Sequence, residues 1–147
     1  MHHRVFVYGT LLSGEVNHHL LAGALLLGSH RTAPCFTLVD LGAYPGLARG
    51  GTTAALGEIY QIDAMGLRRL DALEDYPRLY DRRLIPSPFG STWVYLYRGE
   101  RLGRAVIQGG DWRAYAADPD SYRAAGVRGT RDAKNRRPWR RAIDRTD

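Results

Sequence analysis

Two short stretches carry the residue types that chemistry needs. The first is Tyr8-Gly9-Thr10-Leu11, where an alternating apolar run, VFVY at 5 to 8, stops at a glycine followed by a hydroxyl side chain. Glycine after a strand lets backbone N–H groups turn toward a ligand, so such a loop can hold a carboxylate or a developing oxyanion. Equally, most glycine turns are only turns. The second is the carboxylate pair Glu74-Asp75 in LDALEDYP. Glu74 follows Leu70 and Leu73 at the edge of an apolar stripe, with Tyr76 and Tyr80 close in sequence. Such surroundings strip water from a carboxyl, raise its pKa and suit it to proton transfer near neutral pH. The plainer account is a solvated carboxylate at a helix end.

Other chemistries lack their spacing. His2 and His3 open the chain, His18 and His19 are sequence neighbours pointing different ways on a helix, and His30 stands alone. No HxxxH, HExxH or CxxC occurs, so no bound metal is expected. YGTLLSGE lacks the ending of a phosphate loop, no GxGxxG follows a strand, and there is no G-x-S-x-G elbow. Cys35, read as embedded in an apolar strand without a positive neighbour, has nothing to make it a thiolate.

The elements that must position these residues read as a mixture of strands and helices. Residues 4 to 8, 57 to 63 (GEIYQID) and 93 to 97 (WVYLY) alternate as strands, and 33 to 41 reads as another. Gly42, Pro45, Gly46, Gly50 and Gly51 mark a loop or tight hairpin after it. Residues after Thr10 read as a helix. A clear helix begins at Asp63, a capping residue, with Met65, Leu70, Ala72 and Leu73 as its apolar stripe and Pro77 as its end. DPDSYRAAG at 118 to 126 reads as a short closing helix, with Pro119 suited to its first turn and Gly126 to its stop. Short strands separated by turns imply an α+β domain with a strongly curved antiparallel or mixed sheet.

A chain of 147 residues is long enough for one real core. One cysteine, no apolar leader and no apolar run near the ~20 residues of a membrane helix point to a cytoplasmic protein outside the membrane. The net charge of +6 is not spread evenly. Residues 128 to 147 hold eight Arg or Lys against three Asp, which leaves 13 against 12 in residues 1 to 127. The chain therefore divides into a nearly neutral domain, 1 to 127, and a basic tail, 128 to 147, with few core-forming residues. The tail reads as a solvated, loosely packed terminus rather than a nucleic-acid site; binding through it would show a steeply salt-dependent affinity that vanishes when the tail is removed.

Taken together, VFVYGTL at 5 to 11, LGAYPGL at 41 to 47, GEIYQID at 57 to 63, LDALEDYPRLYDRR at 70 to 83, WVYLY at 93 to 97 and IQGGDWRAY at 107 to 115 resemble the γ-glutamylcyclotransferase-like family. The similarity is to its AIG2-like branch, and the last segment is similar to bacterial members including the butirosin-pathway cyclotransferase. The resemblance implies a small mixed β-barrel with flanking helices. It also implies a reaction in which the α-amine of a γ-glutamyl amide attacks its own γ-carbonyl, releasing 5-oxoproline and a free amine, with no cofactor. On the residues that match, it implies that Glu74 carries the proton and that Tyr8, Gly9, Thr10 and Leu11 cradle the γ-glutamyl group. Tyr80 falls where the family often has an aromatic site residue, and serves either there or as a core tyrosine. Tyr44-Pro45-Gly46 is either a pocket rim or a hairpin. The alternative is a silent family member that binds a small molecule or a protein.

Overall fold

The computed structural model describes residues 2–118. The expected closing helix at 118 to 126 and the basic segment at 128 to 147 therefore lie outside the described residues, apart from Asp118.

Strand β1 (His2–Val7) forms where the sequence alternates. It lies at the centre of a five-stranded sheet ordered β2-β5-β1-β7-β6, in which β2 is Leu25–Arg31, β5 Leu56–Asp63, β6 Tyr80–Ile85 and β7 Thr92–Tyr97. β1 runs parallel to β7, whereas β1–β5, β2–β5 and β6–β7 are antiparallel. Strands β3 (Phe36–Asp40) and β4 (Pro45–Arg49) form a separate antiparallel hairpin.

Because successive strand residues face opposite ways, β1 feeds two cores. Val5 and Val7 pack with Tyr60, Ile62 and the helix residues Leu67, Leu70 and Leu73. Phe6 and Tyr8 pack with Leu38 and Leu47 of the hairpin, Ile59, Val94 and Trp112. The sheet is thus covered on one face by helix α1 (Ala64–Leu73) and on the other by the hairpin and helix α2 (Trp112–Ala117).

The mixed α+β reading holds, but the sheets do not close into the expected barrel. Closure needs the outer strands to pair with each other, and β2 and β6 lie at opposite edges of the larger sheet. Each edge carries an exposed charge, Arg31 on β2 and Arg83 on β6, a feature that discourages edge pairing.

Asp63 caps α1, its Oδ1 accepting from Gly66 N at 2.8 Å. The stripe matches the one read in the sequence at Leu70 and Leu73 and differs elsewhere. Met65 is 57% exposed and Ala72 is also exposed, while Gly66, Leu67, Leu70 and Leu73 are buried. The i, i+3 row through Leu67 fits the sheet. Nor does Pro77 end the helix. The last helical residue is Leu73, and Asp75 turns the chain with φ 53°, the left-handed conformation that commonly closes helices.

Residues 10–17 form successive turns rather than a helix, leading to a single 3-10 turn at His18–Leu21. β3 begins at Phe36, so Cys35 lies outside it and is exposed, not embedded in a strand. No helix among the described residues is long and apolar enough to cross a membrane.

Candidate active site

The glycine turn leaves the end of β1 and is fixed from several sides. Ser13 donates its N–H to Glu58 Oε1 at 2.8 Å and its hydroxyl to Glu58 Oε2 at 2.7 Å. Tyr60 donates to the same carboxylate at 3.1 Å, and Arg113 Nη1 donates to the Ser13 carbonyl at 2.7 Å. Burial pushes the Glu58 carboxyl up, but the hydrogen bonds from Ser13 and Tyr60 and the nearby Arg113 outweigh it, leaving the pKa lowered. The Leu11 carbonyl accepts from His18 Nδ1 at 3.0 Å.

Gly9 serves close approach rather than unusual backbone. A Cβ there would lie 2.7 Å from Pro45 Cγ and 2.8 Å from Pro45 Cδ, so the missing side chain lets the turn seat against the start of β4. Thr10 Oγ1 accepts from Asn17 Nδ2 at 3.2 Å, and Asn17 N donates to the Thr10 carbonyl at 2.9 Å. Asn17 is fully buried, and its Oδ1 has no partner among the described residues.

Tyrosines tie this turn to the hairpin. The Tyr8 hydroxyl donates to the Tyr95 carbonyl at 2.7 Å and accepts from Leu47 N at 3.2 Å. The Tyr80 hydroxyl donates to the Pro45 carbonyl at 2.9 Å, and its ring meets that of Tyr97 edge-on, centroids 5.5 Å apart. A Cβ on Gly46 would fall 2.9 Å from both Leu41 Cδ1 and Tyr97 Cβ. Tyr44-Pro45-Gly46 is accordingly a hairpin segment that also packs against these aromatic walls. Tyr80 is a buried tyrosine of the core next to the same wall.

Glu74 directly follows α1, its N–H donating to the Leu70 carbonyl at 2.9 Å. Its position four after Leu70 and seven after Leu67 places it on the buried row. Burial first, and the neighbouring Asp71 charge second, push its carboxyl up to about 8. The residue as a whole is only half-buried. Asp71 is held by Arg82, at 2.8 Å to Nε and 3.1 Å to Nη2, and by the Tyr95 hydroxyl at 2.6 Å. Arg82 in turn lies over the rings of Tyr76 and Trp93, 4.5 and 4.3 Å from their centroids.

The Tyr8, Tyr44, Tyr80 and Tyr95 hydroxyls are all held above the usual tyrosine pKa, chiefly by burial. The Glu74 charge adds to each of these shifts. Such mutual influence puts Glu74, the tyrosine ending β1, the hairpin and Tyr80 in one electrostatic neighbourhood. The arrangement pairs a carboxyl able to gain or lose a proton near neutral pH with hydroxyls that remain protonated. Asp71→Asn should therefore move the Glu74 titration to lower pH, since it removes the like charge and leaves Arg82 unpaired. A pH titration of the Glu74 side-chain carboxyl by carbon-detected NMR reads the shift directly, and an unmoved or raised midpoint would contradict this account.

The structure thus brings Tyr8, Gly9, Tyr44, Pro45, Gly46, Glu74 and Tyr80 together, with Thr10 and Leu11 continuing the same turn. Sequence reasoning missed Glu58, Asn17, Asp71 and Tyr95. The available signal for Glu58 was a carboxylate inside an otherwise apolar strand; Asn17 had none. Among the described residues, no three His, Cys, Asp or Glu side chains gather as a metal-ligand group.

The family model for "gamma-glutamyl cyclotransferase, AIG2-like" matches residues 5–114 of this chain. The chain belongs to that family. A Vibrio cholerae serotype O1 relative, assigned provisionally as a γ-glutamylcyclotransferase, is 47% identical over 112 residues, covering 76% of this chain and 96% of the relative. The γ-L-glutamyl-butirosin B γ-glutamyl cyclotransferase of Niallia circulans is 35% identical over 122 residues, covering 76% of each chain. Among solved structures, an AIG2-like protein of Mus musculus superposes with a TM-score of 0.66 at 29% identity, covering 81% of this chain and 92% of that one. These γ-glutamyl cyclotransferase relatives agree with the resemblance drawn from the sequence motifs.

Proposed function

We propose that this protein is a γ-glutamylcyclotransferase that cleaves a small-molecule γ-glutamyl amide to 5-oxoproline and a free amine. The observation that supports this reading is the Glu74 carboxyl, pushed up to about 8 and acting on the Tyr8 and Tyr80 hydroxyls, in a chain of this family. As the carboxylate, Glu74 takes a proton from the substrate's α-ammonium. The freed amine attacks the γ-carbonyl carbon, the new C–N bond closes a five-membered lactam, and the original amide C–N bond breaks. Glu74 returns that proton to the departing nitrogen, and the second proton that the attacking nitrogen sheds as the lactam forms also passes to the released amine, which leaves as an ammonium, so protons balance and no water is consumed.

Attack within one molecule explains why a protein nucleophile is superfluous. Well-oriented intramolecular reactions reach effective molarities of ~10⁵ M or more, leaving the protein to fold the substrate, move one proton and steady an oxyanion. Asn17 contributes to the last task in this reading. By donating to Thr10 Oγ1 it occupies an acceptor site and leaves the Thr10 hydroxyl proton to point at the substrate. Tyr8, Gly9 and Leu11 complete the γ-glutamyl cradle, while Tyr44, Pro45, Gly46 and Tyr80 form its aromatic side.

On this reading the enzyme is cytoplasmic, uses no cofactor or metal, and works through residues 1 to 127, with the basic segment 128 to 147 outside the chemistry. The test is incubation of purified protein with a panel of γ-glutamyl amines and γ-glutamyl amino acids, with 5-oxoproline detected by mass spectrometry. Formation of 5-oxoproline with equimolar release of an amine is expected. Its absence with every amide would overturn the assignment and favour a binding module.

A further inference from the structure

Helix α2 takes no part in the chemistry above, yet two of its side chains reach two different walls of the site. Its root is fixed. Gly110, with φ 74°, donates its N–H to the Ile107 carbonyl at 3.1 Å, and its own carbonyl accepts from Leu56 N at 2.9 Å, at the start of β5. A Cβ on Gly110 would collide with the Ala54 carbonyl oxygen. Arg31 Nη1 donates to the Ala54 and Gly109 carbonyls at 2.9 and 3.1 Å, tying the same junction to β2. Asp111 caps the helix, its Oδ1 accepting from Ala114 N at 3.2 Å. Trp112, 3% exposed, then plugs into the core with Phe6, Leu38 and Val94, so the helix cannot slide without opening close-packed side chains.

Arg113 and Tyr115, two apart on this helix, face different ways. Arg113 Nη1 donates to the Ser13 carbonyl at 2.7 Å and lies 3.4 Å from Ser13 Oγ, while Nη2 stands 3.9 Å from Glu58 Oε2. Glu58 pairs with Val7 across the sheet and grips Ser13 through its N–H and hydroxyl. Guanidinium, carboxylate and Ser13 thus close a ring just past Leu11. On the other side the Tyr115 hydroxyl donates to Asp40 Oδ2 at 2.8 Å. Asp40 is 1% exposed, its Oδ1 accepts from Gly42 N at 2.7 Å, and it pairs with Pro45 across the hairpin. Tyr115 therefore holds the loop that leads to Tyr44 through Asp40, as Arg113 holds the glycine turn through Ser13. Both tethers involve a charged group, the stronger kind of hydrogen bond. The walls they hold touch each other where Pro45 sits against Gly9.

We propose that Arg113 and Tyr115 are positioning residues for the cyclisation: from one fixed helix they hold the Tyr8–Leu11 turn and the Tyr44–Gly46 hairpin at the separation that a γ-glutamyl group needs. This rests on the cyclotransferase reading. Neither side chain touches the reacting atoms. Donors on the turn must meet the developing oxyanion, and a misplacement of about 1 Å can cost about 10²-fold in rate. Because the separation is held only while both ends are tied, releasing one end loosens both walls, and releasing the second adds little.

The test uses the full chain with Arg113→Ala, Arg113→Lys, Tyr115→Phe and the Arg113→Ala/Tyr115→Phe double variant. Amide hydrogen exchange by NMR follows Leu12, Ser13 and Asn17, bonded at the turn, and Leu41 and Gly42, bonded in the loop. In Tyr115→Phe, which loses one oxygen atom, exchange should quicken about fivefold on both walls while Phe6 and Val94 in the central strands keep their rates. Kinetics with γ-glutamylglycine and γ-glutamyl-ethylamine should show kcat about tenfold lower in Arg113→Ala and in Tyr115→Phe, by the same factor for both amides. KM should change less, and the pH limb should stay in place. Arg113→Lys keeps a donor for the Ser13 carbonyl and should recover most of the loss. The double variant should also lose about tenfold, not the ~10² of two independent losses. Three results overturn the inference: quickened exchange confined to the wall whose bond was removed, multiplied losses in the double variant, or a lowered melting temperature with kcat intact. Native protein that yields no 5-oxoproline from any amide overturns the cyclotransferase reading separately. Exchange in Tyr115→Phe then decides whether the helix couples the walls, as it does if the double variant fails to fold.

Discussion

Glu74→Gln should abolish most 5-oxoproline formation, lowering kcat by about 10³-fold, within the range that a positioned acid–base group contributes. The amide side chain keeps the shape and hydrogen-bonding capacity of the glutamate but cannot carry the proton from the α-ammonium to the leaving nitrogen. KM should change far less than kcat, because the γ-glutamyl group is held mainly by the Tyr8–Leu11 turn. The native enzyme should show the same dependence through pH. With the Glu74 carboxyl at about 8, only the minority carboxylate form of the free enzyme accepts the proton at neutral pH. Below pH 8, kcat/KM should therefore fall about tenfold per unit, and the limb should move to lower pH in Asp71→Asn. A Glu74→Gln enzyme that forms 5-oxoproline at the native rate would remove Glu74 from the mechanism.

The same substitution should stabilise the protein, and only at higher pH. The Glu74 pKa is raised from 4.5 in the unfolded chain to about 8 in the fold. Between those values the folded state holds a proton that the unfolded state has released, so stability declines as pH rises through the window. Below pH 4.5 both states are protonated and there is no penalty; above pH 8 the folded carboxylate bears it in full. A shift of this size corresponds to several kcal/mol, and partial exposure of Glu74 reduces the figure to about 3 kcal/mol. Gln carries no such penalty. Urea denaturation should find Glu74→Gln more stable than the native protein by about 3 kcal/mol at pH 8.5, with the two converging at pH 4.5. A difference that does not vary with pH would mean the gain comes from packing and not from removing a buried charge. The two outcomes together express one arrangement: a group made useful for proton transfer by its surroundings is destabilising in them.

What the sequence determined by itself was local. The alternation of VFVY, GEIYQID and WVYLY specifies the three central strands, because each exposes two apolar faces that only a covered sheet can bury. Asp63 marks the start of α1 because a short acceptor side chain satisfies an N–H of the first turn within three residues. The ordered motifs from Tyr8 to Tyr115 sufficed to place the chain in its family. Element types set by neighbours in sequence are legible from sequence.

Features set by distant residues were not. β2, β4 and β6 were not read as strands: LLLGSHR carries a register shift between Leu26 and Gly28, PGLAR begins with turn-forming residues, and YDRRLI is charge-rich at a sheet edge. Whether the sheet closes depends on the meeting of β2 and β6, distant in sequence, and the fold leaves them at opposite edges of the sheet. The helix stripe keeps Leu70 and Leu73 as read but takes Gly66 and Leu67 in place of Met65 and Ala72, because the sheet, not the helix, chooses which residues it covers. Glu74 was found by type and position, but its elevated pKa comes from the tertiary structure, which buries it. Similarly, Tyr80 and Pro45, 35 residues apart, meet through a hydrogen bond that neither local sequence specifies. A turn's residues can be read one by one; the field and the hydrogen bonds around them exist only after the chain has folded, because they arise from groups the backbone brings together from far apart.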